Sequence, residues 1–558
     1  MKRFLRQLEQ LGVHSTDRRW IFVPEDQLSD AIGPLSREDP GTLGVVLVES
    51  HWKAARRPYH KQKLALVWSN LRHFALEQAS RGVAVRYLTS TQPFHTSLAP
   101  IIEKLGPLRV MEPAERELRA DLAPLSQAGT ILVTPHEGWL TSREEFLRGA
   151  GARPPWRMDA FYRCVRKGTG ILMDGPKPLG GKYSYDRENR RRWTGDPPAP
   201  DSPTFEIDDI TAEVGALITD RFSHHPGTMD LAAIPATRQD ALRLWQWAKQ
   251  QCLPQFGPLE DAMSRHSRSL FHTRLSAMMN LHRLLPRQVV TEAAEMAIPL
   301  PSKEGFIRQI LGWREFVRHV HRETDGFRQL PGGNPPVAPS PGDGGYAAWR
   351  KTSWVASRED LHPDGGARPS HLNAHESLPG AFWGVPSGLS CLDTVVADVW
   401  AEGYSHHITR LMVLSNLATL LAISPREVAD WFWVAYTDAY DWVVEPNVLG
   451  MGTYAAGDIM TTKPYVSGGG YINRMSDYCE RCQFDPRTNC PLTAMYWAFL
   501  SQHQSRLGKN PRLRLPLMSL RRRSPTQRKH DAQVLAAVQN ALQSGDPIDL
   551  RSIERTTK

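Results

Sequence analysis

With 558 residues the chain exceeds one typical domain, so two or three units with cores large enough to enclose a cofactor are expected. Apolar residues make up 41% and charged residues 23%, which is ordinary globular usage, and no run nears the roughly 18 uninterrupted apolar residues of a membrane span. The net charge of +9 suits a polyanionic partner but is spread over a large surface, and six cysteines are too few for a disulfide scaffold. Gln7, Glu9 and Gln10 interrupt what would be the apolar part of an export signal, so a cytoplasmic protein without a membrane anchor is expected.

The first 140 residues alternate short β-branched runs (20–23, 43–48, 83–88, 108–110 and 131–133) with helical patterns, the longest an amphipathic stretch over 60–80. That rhythm predicts βαβ units and a Rossmann-like, mostly parallel sheet. No G-x-G-x-x-G follows the first run, so a dinucleotide fingerprint is missing. A ligand of this unit belongs at the carboxyl ends of the strands, near Asp26, Gln27 and Glu49. Residues 141–237, rich in proline and glycine and carrying Lys182, Arg190 and Arg191, read as a connector that is partly ordered at best. Helical periodicity dominates 238–525, broken by a glycine- and proline-rich insertion over 331–368, and a helix and tail occupy 526–558.

Cys479 and Cys482 stand at C-x-x-C spacing, Cys490 follows in a short loop, and Cys391 upstream completes a possible four-thiolate site. Spacing alone fits structural zinc and an iron-sulfur cluster alike, and structural zinc is the commoner use of such a set. Cys490-Pro491 and the aromatic company of Tyr478, Phe484, Tyr496 and Trp497 favour the cluster. Cys164 and Cys252 are isolated thiols.

Several runs then point one way. Tyr404-Ser405-His406-His407-Ile408-Thr409-Arg410-Leu411-Met412, Asp438-Ala439-Tyr440-Asp441-Trp442, Glu445-Pro446-Asn447-Val448 and Leu311-Gly312-Trp313-Arg314-Glu315-Phe316 resemble the iron-sulfur bacterial cryptochromes and photolyases, which include prokaryotic (6-4) photolyases. His60-Lys61-Gln62-Lys63 and Gly180-Gly181-Lys182-Tyr183-Ser184 are similar to that family too. The resemblance implies an α/β antenna domain followed by an all-helical domain enclosing FAD. It implies a [4Fe-4S] cluster on Cys391, Cys479, Cys482 and Cys490, a 6,7-dimethyl-8-ribityllumazine antenna, and a bacterial protein acting as a monomer on UV-damaged DNA. Ser276-Ala277-Met278-Met279 and Val444-Glu445 depart from the family pattern near the flavin.

Within that frame Thr273, Leu275 and Ser276, at a helix start, would serve the FAD pyrophosphate. Arg314, paired with Asp441, would face the flavin ring, with Gln309, Trp313 and Asn447 nearby; an ordinary helix with an Arg314–Glu315 pair is the plainer alternative. An isolated histidine pair is commonly core, and metal ligation lacks a third histidine or carboxylate at helical spacing. By resemblance His407 is the general acid for a (6-4) photoproduct, with His406, Tyr465 and Tyr471 lining a snug lesion pocket and Leu411 an apolar wall. Trp383 and Trp431 match positions that carry electrons to the flavin, whereas Trp433 reads as core. Lys182, Arg190 and Arg191 are candidate phosphate contacts. The function expected is light-dependent repair of (6-4) photoproducts, the alternative a blue-light photoreceptor of the same architecture.

Overall fold

Five short runs pair side by side into a wholly parallel sheet: β1 (Arg19–Phe22), β2 (Leu43–Ser50), β3 (Ala84–Ser90), β4 (Leu108–Met111) and β5 (Ile131–Thr134), in the order β3-β2-β1-β4-β5. The computed structural model describes residues 2–12, 17–330, 366–551 and 553, so nearly all of the 331–368 insertion lies outside the described residues. β2 is buried along its whole length, as the central part of a parallel sheet requires. Its Gly44 lies under the Trp20 indole so closely that a Cβ there would come within 2.5 Å of the ring, which is why this position carries no side chain. The chain leaves β1 towards β2 on one side and reaches β4 on the other, so the crevice at a topological switch opens beyond β1 and β4.

The helix Lys61–Ser80 departs from the amphipathic expectation, because sixteen of its 20 residues are buried. Leu71, Phe74, Ala75 and Ala79 pack with the sheet, Leu64 to Trp68 pack into the core of the helical half, and polar side chains are satisfied on both sides. Lys63 donates to the carbonyls of Trp433 (3.1 Å) and Ala439 (2.5 Å), and the backbone N–H of His60 donates to Val434 at 2.8 Å. Arg72 holds Glu49 in a two-pronged ion pair at 2.8 and 2.9 Å. His60 and Lys63 are thus the mortise between the two halves, while Arg72 ties the helix to the sheet.

The connector is more ordered than its composition suggested. It contains the helices Arg143–Ala150, Met158–Thr169 and Asp209–Arg221 and a two-stranded ribbon, Met173–Asp174 with Lys177–Pro178. Helices follow, with no further strand among the described residues. The last long helix, Pro525–Ser544, packs against Pro491–Gln502 and buries Val534, Leu535, Val538 and Leu542.

One buried charge network braces the helical half. Arg426, 1% exposed, donates to Glu445 at 2.7 Å and to Asp430 at 2.5 Å, and His321 meets Glu445 at 2.9 Å. Burial alone would raise the Glu445 carboxyl, but its partners His321 and Arg426 outweigh that and hold it down at about 2. The acid of the Val444-Glu445 departure is therefore turned away into this network, and only Val444 faces the cavity described below. Replacing Arg426 by Met removes the guanidinium that two buried carboxylates share. We expect a loss of about 3–5 kcal/mol in denaturant unfolding; an unchanged midpoint would show that the network contributes little.

Candidate functional site

A cavity of about 320 Å³ lies inside the helical half. Much of its wall is built from three π-helical segments, Arg308–Arg314, Arg410–Ser415 and Pro446–Gly452. The wider turn re-aims side chains that a regular α-helix would stack on its own axis, and such bulges concentrate at functional sites. These segments present Gln309, Trp313 and Arg314, then Arg410, Leu411 and Ser415, then Asn447 to the interior. A fourth wall is the turn His272-Thr273-Arg274-Leu275-Ser276, where Arg274 sits in the left-handed region at φ 57.

The cavity carries fixed positive charge. Arg314 is pushed down by burial to about 10, still fully protonated at neutral pH, with Nε unpartnered. Its guanidinium lies 4.1 Å over Trp139 and reaches Glu315 at 3.3 Å and the Met279 carbonyl at 3.2 Å. Arg410 is bound in two prongs to Asp438 at 3.0 and 3.1 Å and caps the Tyr436 ring at 3.9 Å. Burial opposes ionisation of Asp438, but Arg410 and the Ser276 hydroxyl, which donates at 2.6 Å, hold it below its ordinary range. A cavity with three guanidiniums (Arg274, Arg314 and Arg410), hydroxyl and amide side chains and an apolar lining suits an extended anionic ligand with an aromatic head.

His406 and His407 line the same cavity, joined by a residue that sequence reasoning missed. His272 stacks on His406 with 4.4 Å between centroids and 5° between planes, and meets His407 edge-on at 5.3 Å. Ring nitrogens of the three lie within 4.8 Å of one another. The parallel pair directs its in-plane lone pairs side by side rather than onto one point, so a shared metal ion would require a ring to turn. Burial, then the neighbouring histidines, drives His272 well down; burial, then Arg308 and Arg410, lowers His407 to about 4. All three imidazoles are neutral at neutral pH, so a proton must be drawn onto them by a ligand.

Thr273, Leu275, Ser276, Gln309, Trp313, Arg314, Asn447, His406 and His407 are thus brought together. Asp441 is not. Its carboxylate accepts the backbone N–H groups of Glu117 (3.1 Å) and Trp442 (2.6 Å), and the acid at the cavity is Asp438, paired with Arg410 rather than Arg314. Tyr465 and Tyr471 also stand outside the lining. Burial and then the nearby acids Asp186 and Asp261 respectively raise their phenols, which places both beside the connector, where Arg190 pairs with Asp186 at 2.5 Å. Lys182, Arg190 and Arg191 are exposed there, Lys182 on Glu188 at 2.8 Å. Trp431 is fully buried behind Phe432, which lines the cavity, and Trp383 lies further out. Arg410 and Asp438 stood inside the quoted runs and His272 directly before Thr273, so the signal was adjacency; which side chain faces inward was not legible.

The four cysteines converge. Cys391 opens the helix Ser390–Glu402, Cys479 lies in the short turn Tyr478–Arg481, and Cys490 caps Pro491–Gln502. Burial, followed by Cys490, Cys479 and Cys482, drives the Cys391 thiol far up, so the other three sulfurs are its neighbours. All are free thiols. The donor set fits one four-thiolate centre, in which a bound cation would reverse that shift.

At the switch crevice, Asp26 accepts the Ala114 N–H at 2.8 Å and Gln27 donates to the Met111 carbonyl at 2.8 Å. Glu49 is spent on Arg72, Tyr87 and His51. Asp26 Oδ1, Glu115 Oε1 and the Tyr440 hydroxyl are buried without partners, and burial lifts Asp26 to about 6. These orphaned atoms fit a hydroxylated, hydrogen-bonding ligand.

Comparison with known proteins follows the same lines. The deoxyribodipyrimidine photo-lyase-related protein family matches residues 21–233. A (6-4) photolyase of Agrobacterium fabrum is 34% identical over 536 residues, covering 93% of this chain and 98% of the relative. A bacterial class III photolyase from Agrobacterium tumefaciens aligns over 98% of this chain and 97% of its own, with TM-score 0.50 and 16% identity. The Synechocystis sp. PCC6803 cryptochrome aligns over 97% and 98%, with TM-score 0.53 and 15% identity. The two-part architecture, an α/β unit with a parallel sheet and a helical half, is theirs. No helix among the described residues is long and apolar enough to cross a membrane.

The buried imidazoles have a thermodynamic consequence. Burial lowers His60 and His407 to about 4, and His225, His282 and His319 to about 3. Between about pH 6.5 and these values the unfolded chain binds protons that the native imidazoles refuse, so their contribution to stability falls as pH falls through that window, while carboxyls that burial raises, such as Asp26 and Glu260, act in the opposite direction. His319→Gln should lose less thermal stability than wild type between pH 7 and pH 4; equal losses would contradict the neutral assignment of that imidazole.

Proposed function

The chain belongs to the prokaryotic photolyase and cryptochrome family, and we propose that it repairs (6-4) pyrimidine photoproducts in UV-damaged DNA, with FAD held in the helical cavity. FAD, when bound, supplies light-driven transfer of one electron to the lesion and takes it back, so the repair has no net redox change. Thr273, Arg274 and Ser276 would hold its phosphates by hydroxyl, charge and backbone donors. Arg314, with its unpartnered Nε, would sit beside the ring and favour negative charge there, with Gln309, Trp313 and Asn447 orienting it.

His407 is the general acid. It is held neutral in the free protein by burial and by Arg308 and Arg410, and it would take a proton from water on its open side only when an electron-loaded lesion brings negative charge against the ring. It then returns that proton to the lesion from a ring nitrogen. His272 and His406, stacked behind it, keep the ring in place and exclude water. Tyr465 and Tyr471 would meet the flipped nucleotide on its way in, and Lys182, Arg190 and Arg191 the phosphates on either side. The observation that carries this reading is the neutral histidine pair, His406 buried and His407 partly open, in the same cavity as the flavin-binding set.

Cys391, Cys479, Cys482 and Cys490 would hold a [4Fe-4S] cluster that braces the helices around the site. Asp26, Glu115 and Tyr440, with Gln27 beside them, would hold a ribityllumazine antenna through their orphaned polar atoms.

Two measurements test this. His407→Ala should retain flavin and lose about 100- to 10,000-fold in repair of a defined (6-4) oligonucleotide under blue light. If photoreduced wild-type protein leaves that DNA unchanged and the variant behaves the same, repair is abandoned in favour of a photoreceptor. Cys482→Ala should cost folding and flavin retention together; a soluble, yellow, active variant would remove the brace.

A further inference from the structure

The cavity wall at Gln309 rests on an acid that lies outside the lining. Glu260, 3% exposed, takes a hydrogen bond on each carboxylate oxygen. Oε1 accepts from the Gln309 side-chain amide at 2.5 Å, and Oε2 accepts from the Asn189 amide at 2.7 Å, with Arg308 3.5 Å away. Gly305 leaves room for this contact, because a Cβ there would come within 2.8 Å of the Asn189 nitrogen and 3.0 Å of Oε2.

A carboxylate can only accept, so Glu260 decides which way round the Gln309 amide sits. The amide nitrogen faces Glu260, with a longer contact to the Gly305 carbonyl at 3.4 Å, and the amide oxygen is left without a partner among the described residues. Gln309 lines the cavity, so that oxygen is what it offers to a ligand. Trp313 and Arg314, which line the cavity from the same π-helical segment, can only donate. An acceptor set among donors selects a ligand N–H and turns away a carbonyl.

We propose that Glu260 is a positioning residue that holds the Gln309 oxygen towards the cavity to receive an imide N–H, the group that a flavin ring and a flipped pyrimidine share. The inference rests on the reading of the cavity as a flavin and lesion site. Glu260 touches neither ligand and acts through the amide alone.

The groups around Glu260 set when this hold is complete. Burial lifts its carboxyl to about 7, Arg308 and Asn189 oppose the rise, and Asp261 and Asp186 add to it. Glu304 reaches the same Arg308 at 3.4 Å and shares its charge. Above about pH 7 the carboxylate fixes the amide, whereas below it the protonated carboxyl, which can donate as well as accept, lets the amide turn round.

The test uses flavin-loaded protein in the dark at about pH 8, where Glu260 is ionised, and has two readouts. For the flavin, the shift of its N3–H Raman band in deuterated water reports the hydrogen bond that this N–H donates. For DNA, affinity is compared between a (6-4) duplex and the same duplex methylated on N3 of the 5′ base of the lesion. Glu260→Gln and Gln309→Met should each lower the Raman shift, which assigns the N–H to the flavin, or each weaken binding of the (6-4) duplex about three- to tenfold and leave the methylated one unchanged, which assigns it to the lesion. The double variant should lose no more than Gln309→Met alone, whereas a general loosening of the fold would add. If wild type holds flavin and binds the lesion while either single variant matches it in both readouts, or if the two losses add, the inference is overturned. A wild-type protein that holds no flavin, or does not tell the lesion from undamaged DNA, would instead remove the reading of the cavity.

Discussion

Arg410 and Asp438 meet in a two-pronged ion pair, and three stretches of chain that are far apart in sequence depend on it. Asp438 accepts the Ser276 hydroxyl, and its backbone carbonyl accepts the Asn280 amide at 2.8 Å, which docks the turn after Thr273. Arg410 also donates through Nε to the Ser405 carbonyl at 2.8 Å, which locks the loop that carries His406 and His407. One ion pair therefore sets where the turn at Thr273, the histidines and the π-helical wall stand relative to each other. A buried ion pair is weak evidence for stability, since desolvation offsets most of its attraction. Its satisfied hydrogen bonds point to a different role, which is to fix one arrangement of the site.

The same low-dielectric surroundings act in opposite ways on the groups of the cavity. They keep the guanidiniums charged, because an arginine lowered to about 10 still holds its proton, and they keep the imidazoles neutral, because a histidine lowered to about 4 does not. Permanent positive charge and withheld protons thus share one space without a titration near neutral pH. Anionic ligands are attracted by the first. The second becomes available only when a ligand adds negative charge beside the ring.

The strands of the α/β unit were legible because β-branched runs in a buried parallel sheet leave few alternatives, and each lies within a residue or two of its expected place. The helix over 61–80 was misread in character because its polar residues suggested water, whereas Lys63, Asn70 and Arg72 are each satisfied by partners far away in the chain. The site was legible as a set of runs and not as a set of pairs. Asp438 and Asp441 stand three residues apart in one run, and only the fold decides between them. Tyr440 is extended, a short helix starts at Asp441, and that turn sends Asp441 to the Glu117 N–H and leaves Asp438 for Arg410. His272 was out of reach for the same reason, since a ring stack between residues 272 and 406 leaves no trace in spacing.

The mortise between the two halves connects these features. His60, the residue before the long buried helix, meets the Trp400 carbonyl at 3.1 Å and stacks on its indole, while its backbone N–H bonds Val434 in the helix that carries Trp431. Lys63, one turn on, holds the carbonyls of Trp433 and Ala439, on either side of Asp438 along the chain. The α/β unit therefore does more than present a crevice at the ends of its strands. Its helix grips the backbone that leads to the ion pair and the rings that lead away from the cavity. A change in how the two halves seat would therefore reach both at once, because one helix contacts the backbone or rings of each.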